Sequence, residues 1–173
     1  MVDKQFRYAQ LYVIDVESRQ ARRVVEGKPA RIGHIREFEW SPDGQQLAFT
    51  AAKTPKVQDY ITSEIYIVDA EGGKPKKLTK NAVAEGNLRW SPDGKKLSFT
   101  AGATDELEYF HPTRIFVIDL PDGRPRNVFG DWPGHAHAHF WAADGRRIYF
   151  TATRGVNVNL YRGAGHAADA CSR

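Results

Sequence analysis

Cysteine, long apolar runs and blocks of like charge are almost absent from this chain of 173 residues. Its one cysteine, Cys171, cannot form a disulfide within the chain, and such usage is typical of a reducing compartment, which favours the cytoplasm. No run of 18 apolar residues occurs and residues 1–10 have no apolar signal-peptide core, so we expect no membrane partner. The formal net charge is +4, but the lysines and arginines are dispersed, which argues against a nucleic-acid partner.

A motif of fourteen residues occurs three times, at 38–51, at 88–101 and, with more substitutions, at 139–152. Alternating apolar positions lead to a tryptophan, a turn containing Asp-Gly follows, and the alternation then resumes. The tryptophans are 50 and then 51 residues apart, a period typical of solenoids, propellers and arrays. The Asp-Gly turn, preceded by proline in two copies, favours a tight hairpin between two strands. Recurrence in every copy indicates a structural role for Trp40, Asp43, Gly44, Trp90, Asp93, Gly94, Trp141, Asp144 and Gly145.

A second apolar motif, which ends in aspartate, recurs between these copies at 11–16, 65–70 and 115–120, and a short strand follows it. One period therefore holds four strands, A to D, as a propeller blade does. The sequence predicts an all-β fold, an incomplete β-propeller of four-stranded antiparallel blades, with two complete blades and partial blades at both ends. The predicted propeller covers 1–162, in blade pieces 8–25, 34–79, 84–129 and 135–162, and an irregular tail covers 163–173.

The predicted strands, about thirteen in number, are too few for a closed ring, since closed propellers have ~4–8 blades of four strands. The first and last blade faces would then be uncovered. We therefore expect either that the chain is a piece of a longer protein or that copies self-associate through the open blade edges.

The connections between strands B and C, at 52–63 and 102–113, are long, whereas the A–B and C–D turns are short. In an up-and-down blade the long connections emerge on one face, opposite the A–B hairpins. Loops on a rigid scaffold commonly carry binding residues. This loop-rich face would present Asp59, Tyr60, Glu106, Glu108, Tyr109, Phe110 and His111.

The acidic and aromatic stretch at 106–111 does not recur from blade to blade, so the repeat does not explain it. Paired carboxylates suit a substrate ammonium group. We therefore take Glu106, Glu108 and Tyr109 as candidate substrate-binding residues, with a solvated loop as the alternative.

Three histidines, His135, His137 and His139, alternate with alanine. A regular strand would place them on one face, where three imidazoles could hold zinc or copper. Alternate strand residues lie about 6.5–7 Å apart, which is wide for three ligands of one metal. His139 also aligns with Phe38 and Leu88, at a packing position. We therefore expect neither a metal site nor a cofactor.

The complete pattern resembles the TolB-type propeller repeat. More narrowly, it resembles the N-terminal propeller of prolyl oligopeptidase family serine peptidases, in their acylaminoacyl-peptidase-like and dipeptidyl-peptidase-like branches. The resemblance rests on Trp-Ser-Pro-Asp-Gly-x-x-Leu-x-Phe-Thr-Ala followed by residues 63–79, and it covers 8–162. Thr54-Pro55 with 59–64, and 151–155 with 159–161, strengthen the peptidase version.

The resemblance implies a propeller that caps an α/β-hydrolase domain and filters peptide substrates by size. None of the six serines lies in a Gly-x-Ser-x-Gly motif, so no catalytic residue of the family can be carried over. We expect a non-catalytic propeller segment that gates and positions peptide substrates for a hydrolase domain absent from this chain. The alternative is a TolB-like scaffold that binds a protein partner and has no peptidase domain.

Overall fold

The structure, a computed structural model, describes residues 6–80, 83–102, 112–130, 132–164 and 167–170. The chain divides into two compact units, an N-terminal unit of residues 1–84 and a C-terminal unit of residues 85–173. No helix in the described ranges is long and apolar enough to cross a membrane.

The N-terminal unit contains one two-stranded and one four-stranded antiparallel sheet. The smaller sheet pairs the first two strands, and the larger sheet is a meander of the next four in chain order. In sequence order the elements are β1 (Tyr12–Ile14), β2 (Ala21–Arg23), α1 (Pro29–Ile32), β3 (His34–Trp40), β4 (Gln46–Ala52), a 3-10 helix (Val57–Thr62), β5 (Glu64–Asp69) and β6 (Lys76–Lys77).

The C-terminal unit contains two four-stranded antiparallel meanders. In each of them every strand pairs with the next strand along the chain. The first comprises β7 (Glu85–Trp90), β8 (Lys96–Gly102), β9 (Thr113–Asp119) and β10 (Arg126–Asn127), and the second β11 (His135–Trp141), β12 (Ile148–Arg154), β13 (Asn157–Ala164) and β14 (Ala167–Ala170).

The all-β fold of antiparallel propeller blades is thus confirmed, but the number of four-stranded sheets differs from the expectation. The sequence predicted two complete blades and irregular chain from residue 163, whereas the structure has three four-stranded sheets. Strand β14 pairs with β13 in a register that places Tyr161 opposite Ala170 and Gly163 opposite Ala168. A ladder of backbone hydrogen bonds needs no β-branched side chains, so the small residues after Gly163 gave no strand signal.

The core of each four-stranded sheet is built on one phenylalanine in its second strand. Phe49, Phe99 and Phe150 occupy matching positions and are fully buried, which is worth roughly 1.5–3 kcal/mol for each side chain. Each ring stacks on an aromatic ring of the third strand, with centroids 5.4 Å apart for Phe49 and Tyr66, 5.6 Å for Phe99 and Phe116, and 5.5 Å for Phe150 and Tyr161.

The hairpin between β3 and β4 is closed by side-chain hydrogen bonds within its Ser-Pro-Asp-Gly turn. The Ser41 hydroxyl donates to the Asp43 carboxylate (2.6 Å) and accepts the backbone N–H of Gln46 (2.8 Å). The Ser41 bond lowers the pKa of Asp43. Gly44 adopts a φ of +70°, which favours glycine. The β7–β8 hairpin repeats these contacts with Ser91, Asp93, Gly94 and Lys96.

The β11–β12 hairpin keeps the turn without the serine. Ala142 stands at the serine position. As in the other two hairpins, the aspartate carboxylate accepts a backbone N–H, here from Arg146 (2.9 Å), and the guanidinium of Arg147 (2.6 Å) takes the place of the serine hydroxyl as its side-chain donor. Gly145 again has a positive φ, +65°. The aspartate and the glycine therefore suffice for this turn.

The three repeated tryptophans have different surroundings. Trp90 is buried, and Trp141 packs on the core of the C-terminal unit and donates its indole N–H to the Arg89 carbonyl (3.3 Å). Trp40 is 44% exposed. In the N-terminal unit, residues beside the two-stranded sheet form a buried cluster with Leu47 of β4 and Ile35 of β3, and Trp40 does not belong to this cluster. The shared structural role of the tryptophans stays a prediction.

Candidate functional site

The connection between β4 and β5, residues 53–63, is held in place by its own side chains. The Thr62 hydroxyl accepts the backbone N–H of Lys53 (2.8 Å) and donates to the Asp59 carbonyl (2.6 Å). The Thr54 hydroxyl donates to the Asp59 carboxylate. None of the residues in its 3-10 helix is fully buried. Polar contacts within the loop, with little apolar packing, therefore fix its shape.

Tyr60 is the exposed aromatic residue that this loop presents. Its side chain is 38% exposed, and the Arg36 guanidinium carbon lies 4.6 Å from the centre of its ring. Such a cation–π contact is worth about 0.5–1 kcal/mol at an exposed site. Burial, and then the negative charge of Glu37, raise the pKa of Tyr60, so the phenol remains a hydrogen-bond donor at neutral pH.

His34 lies at the start of β3, two residues before Arg36. Its Nδ1 accepts the backbone N–H of Ala9 (3.1 Å). Burial and the charge of Arg36 lower the pKa of His34, so the imidazole is neutral at pH 7. We call the surface formed by His34, Arg36, Tyr60 and residues 53–63 the loop surface.

The residues predicted for the loop-rich face have different outcomes in the structure. Glu106, Glu108 and Tyr109 lie outside the described residues, as do Phe110 and His111. Asp59 is used inside the loop as an acceptor, whereas Tyr60 reaches the surface. Arg36 was not among the residues predicted from the sequence, because a register shift between Ile35 and Glu37 interrupts the alternation of β3. Alternation alone therefore could not place its side chain.

A register shift also separates the three histidines of β11, between Ala136 and His139. The rings of His135 and His137 lie 4.8 Å apart between centroids, whereas His139 is buried and only 2% exposed. Within the described ranges no group of three His, Cys, Asp or Glu side chains is arranged to hold a metal ion.

His139 instead forms a hydrogen bond with Ser98 of the neighbouring sheet, and their Nε2 and Oγ atoms lie 2.9 Å apart. The Ser98 hydroxyl donates to the Arg89 carbonyl (3.2 Å), so the imidazole Nε2–H is the donor to Ser98. The Nδ1 atom has no hydrogen-bond partner among the described residues, which suits an unprotonated nitrogen.

This serine–histidine pair does not form a nucleophilic site. Ser98 is fully buried, so a substrate carbonyl cannot reach its oxygen. The histidine Nε2–H donates to the hydroxyl, whereas a general base must accept from it. The pair therefore connects two sheets, and the aligned Leu88 is buried in the same way, whereas the aligned Phe38 is exposed.

No protein-family model matches the sequence, and no curated protein matches it. Solved structures do match its fold. A TolB-like protein from Agrobacterium tumefaciens is 22% identical with a TM-score of 0.70, and the match covers 95% of this chain and 55% of that one. A prolyl endopeptidase is 18% identical with a TM-score of 0.65, over 94% of this chain and 26% of the endopeptidase.

The oligogalacturonate lyase of Vibrio parahaemolyticus is also similar, at 13% identity and a TM-score of 0.70, over 93% of this chain and 47% of the lyase. The chain thus spans about half or less of the length of each of these proteins. Since the identities are low and the functions differ, the comparisons show a TolB-like propeller fold and not an activity.

Proposed function

We propose that this chain is a non-catalytic propeller segment that binds peptides on the loop surface and positions them for the hydrolase domain of a serine peptidase. The observation that carries this proposal is the loop 53–63, which is fixed by side-chain hydrogen bonds and presents Tyr60 beneath the Arg36 guanidinium. A fixed loop loses little conformational entropy when it binds a ligand. Tyrosine and arginine are among the residues enriched at binding hot spots.

The chemistry of the loop surface suits an extended peptide. The Tyr60 ring offers apolar area and a phenolic O–H, and the Arg36 guanidinium offers donors to carbonyl or carboxylate oxygens. A propeller that carries such a surface can hold a peptide while another domain cleaves it. The likeness to the prolyl endopeptidase supports this version of the proposal.

A protein-binding scaffold without a peptidase is the second candidate, and the likeness to the TolB-like protein favours it. Exposed apolar side chains support a protein partner, including a second copy of this chain. They are Phe38 and Trp40 in the N-terminal unit and Phe140, Val158 and Leu160 in the C-terminal unit. Apolar patches on a surface commonly mark contacts with proteins.

Peptide binding can be tested by NMR titration of the chain with a tryptic digest of casein. We expect shifts at Arg36, Tyr60 and residues 53–63, and binding about tenfold weaker in Tyr60→Ala. Tyr12→Ala is the matched control, because Tyr12 is 57% exposed on β1 and lies outside the loop surface. Equal weakening in both variants, or no shift at the loop surface, would contradict the proposal.

The two versions differ in what accompanies the propeller in the cell. The test is a blot of the native gene product, combined with labelling by a fluorophosphonate probe. A labelled band far above 19.5 kDa supports the peptidase version. An unlabelled product supports the scaffold version. The chain alone should not be labelled, since none of its serines lies in a nucleophile elbow.

A further inference from the structure

A cleft of about 290 Å³ lies between the two sheets of the C-terminal unit, beside the β11–β12 hairpin. This volume is at the lower end of the range of small-molecule sites, which measure ~300–1,000 Å³. Three cationic side chains line it, Lys96 of β8, Arg126 of β10 and Arg146 of the hairpin, and none of its lining residues is acidic.

The cations outnumber the carboxylates near the cleft. Asp119 lies 3.8 Å from the Lys96 ammonium and 3.7 Å from Nε of Arg126. Both distances exceed the normal length of a charge-assisted hydrogen bond, ~2.7–2.9 Å. Among the described residues, two carboxylates therefore lie near the three positive charges of the cleft: Asp119, and Asp144 of the hairpin, which accepts from the Arg146 backbone and the Arg147 guanidinium. The potential in the cleft favours an anion.

Much of the wall of the cleft is apolar. Its apolar residues include Phe129, Trp141 and Ile148. Phe129 stacks on Phe150 with centroids 4.6 Å apart. It also lies so close to Gly163 that a Cβ there would come within 1.9 Å of its ring. A glycine at this position therefore lets the Phe129 ring form part of the wall.

The β7–β8 and β11–β12 hairpins do not require Lys96 and Arg146 to close their turns. Lys96 and Arg146 follow Asp-Gly turns, and the β3–β4 hairpin closes the same turn with Gln45 and Gln46. The positive charges are thus a feature of this cleft and not of the repeated turn.

We propose that this cleft is a binding site for a carboxylate attached to an aromatic or aliphatic group. The carboxylate lies among Lys96, Arg126 and Arg146, and the apolar group contacts Trp141 and Phe129. Arginine pairs are well suited to carboxylates because the guanidinium can donate two parallel hydrogen bonds. A small free acid and the carboxyl terminus of a peptide both have this chemistry. The site is separate from the loop surface, which belongs to the other unit.

The test is a calorimetric and NMR titration of the chain with 3-phenylpropionate, with its uncharged amide, with inorganic phosphate and with the tripeptide Ala-Ala-Phe. We expect saturable binding of 3-phenylpropionate at about 5 mM or below, with a shift of the Trp141 indole N–H. The amide and phosphate should each bind about tenfold more weakly, because one lacks the charge and the other the apolar group. Tighter binding of Ala-Ala-Phe identifies a peptide terminus as the source, and weaker binding identifies a free acid.

Matched variants separate the cleft from general positive charge. Arg126→Gln and Lys96→Gln should weaken binding of 3-phenylpropionate by about five- to tenfold. Arg124→Gln and Lys95→Gln should change it less than about twofold, because these exposed neighbours do not line the cleft. The proposal is overturned if the acid fails to bind, if the amide binds equally well, or if the control variants weaken binding as much as the cleft variants.

Discussion

The Ser98 hydroxyl and the His139 imidazole are 41 residues apart in sequence and 2.9 Å apart in the buried core of the C-terminal unit. Their hydrogen bond joins β8, the second strand of one sheet, to β11, the first strand of the next. Burial, and then the positive charge of Arg89, lower the pKa of His139 from 6.5 to about 4. The native protein thus keeps this imidazole neutral under conditions that protonate an exposed histidine.

This relationship predicts that stability depends on pH through His139. Between about pH 6.5 and about pH 4 the unfolded chain binds a proton that the native state does not. The free energy of unfolding is therefore not reduced by His139 above about pH 6.5, and it decreases as the pH falls towards 4 because the unfolded chain gains the proton first. We expect a loss of about 2 kcal/mol at about pH 5 relative to about pH 7.5, measured by urea unfolding.

The variant that tests this origin is His139→Leu, because Leu88 fills the equivalent position of the preceding sheet. This substitution should abolish most of the decrease in unfolding free energy between the two pH values. His137→Leu is the control, since His137 is exposed, and it should keep the loss. A pH dependence that survives unchanged in His139→Leu would show that another group is responsible.

Removing the turn serine from one hairpin should lower stability, and adding it to the hairpin that lacks it should raise stability. Ser91→Ala removes the acceptor of the Lys96 N–H and a donor to Asp93, and Ser91 is buried. We expect a loss of about 1–2 kcal/mol in the free energy of unfolding. Ala142→Ser restores the serine to the third hairpin and should stabilise it by about 0.5–1 kcal/mol. Urea unfolding measures both, and a change of the same sign in the two variants would refute the role given to the serine.

The contact between Gly163 and Phe129 predicts a coupled pair of substitutions. Gly163→Ala places a methyl group against the Phe129 ring, at a built distance of 1.9 Å, so we expect about 1–3 kcal/mol of destabilisation from overpacking. Phe129→Leu alone should also destabilise the unit, by loss of buried area. The double variant should be more stable than the sum of the two changes allows. Strict additivity in the double-mutant cycle would mean that the two residues do not meet.

The sequence predicted much of the fold because the repeat depends on interactions between residues that are close along the chain. The Asp-Gly turns require glycine where φ is positive, and the alternation on either side marks the strands. It failed at β14, where backbone pairing needs no side-chain pattern, and at the register shifts in β3, β7 and β11. Each shift changes which side chains share a face, so the side chain of Arg36 could not be placed from its spacing.

What the amino-acid sequence determined by itself is the blade: its period, its hairpins and its four strands. These features depend on residues that are close along the chain. Only the tertiary structure decided that Tyr60 lies beneath Arg36, that His139 is buried against Ser98, and that Lys96, Arg126 and Arg146 line one cleft. Those relationships join distant strands, and their distances are set by how the strands of each unit pack, which no local pattern records.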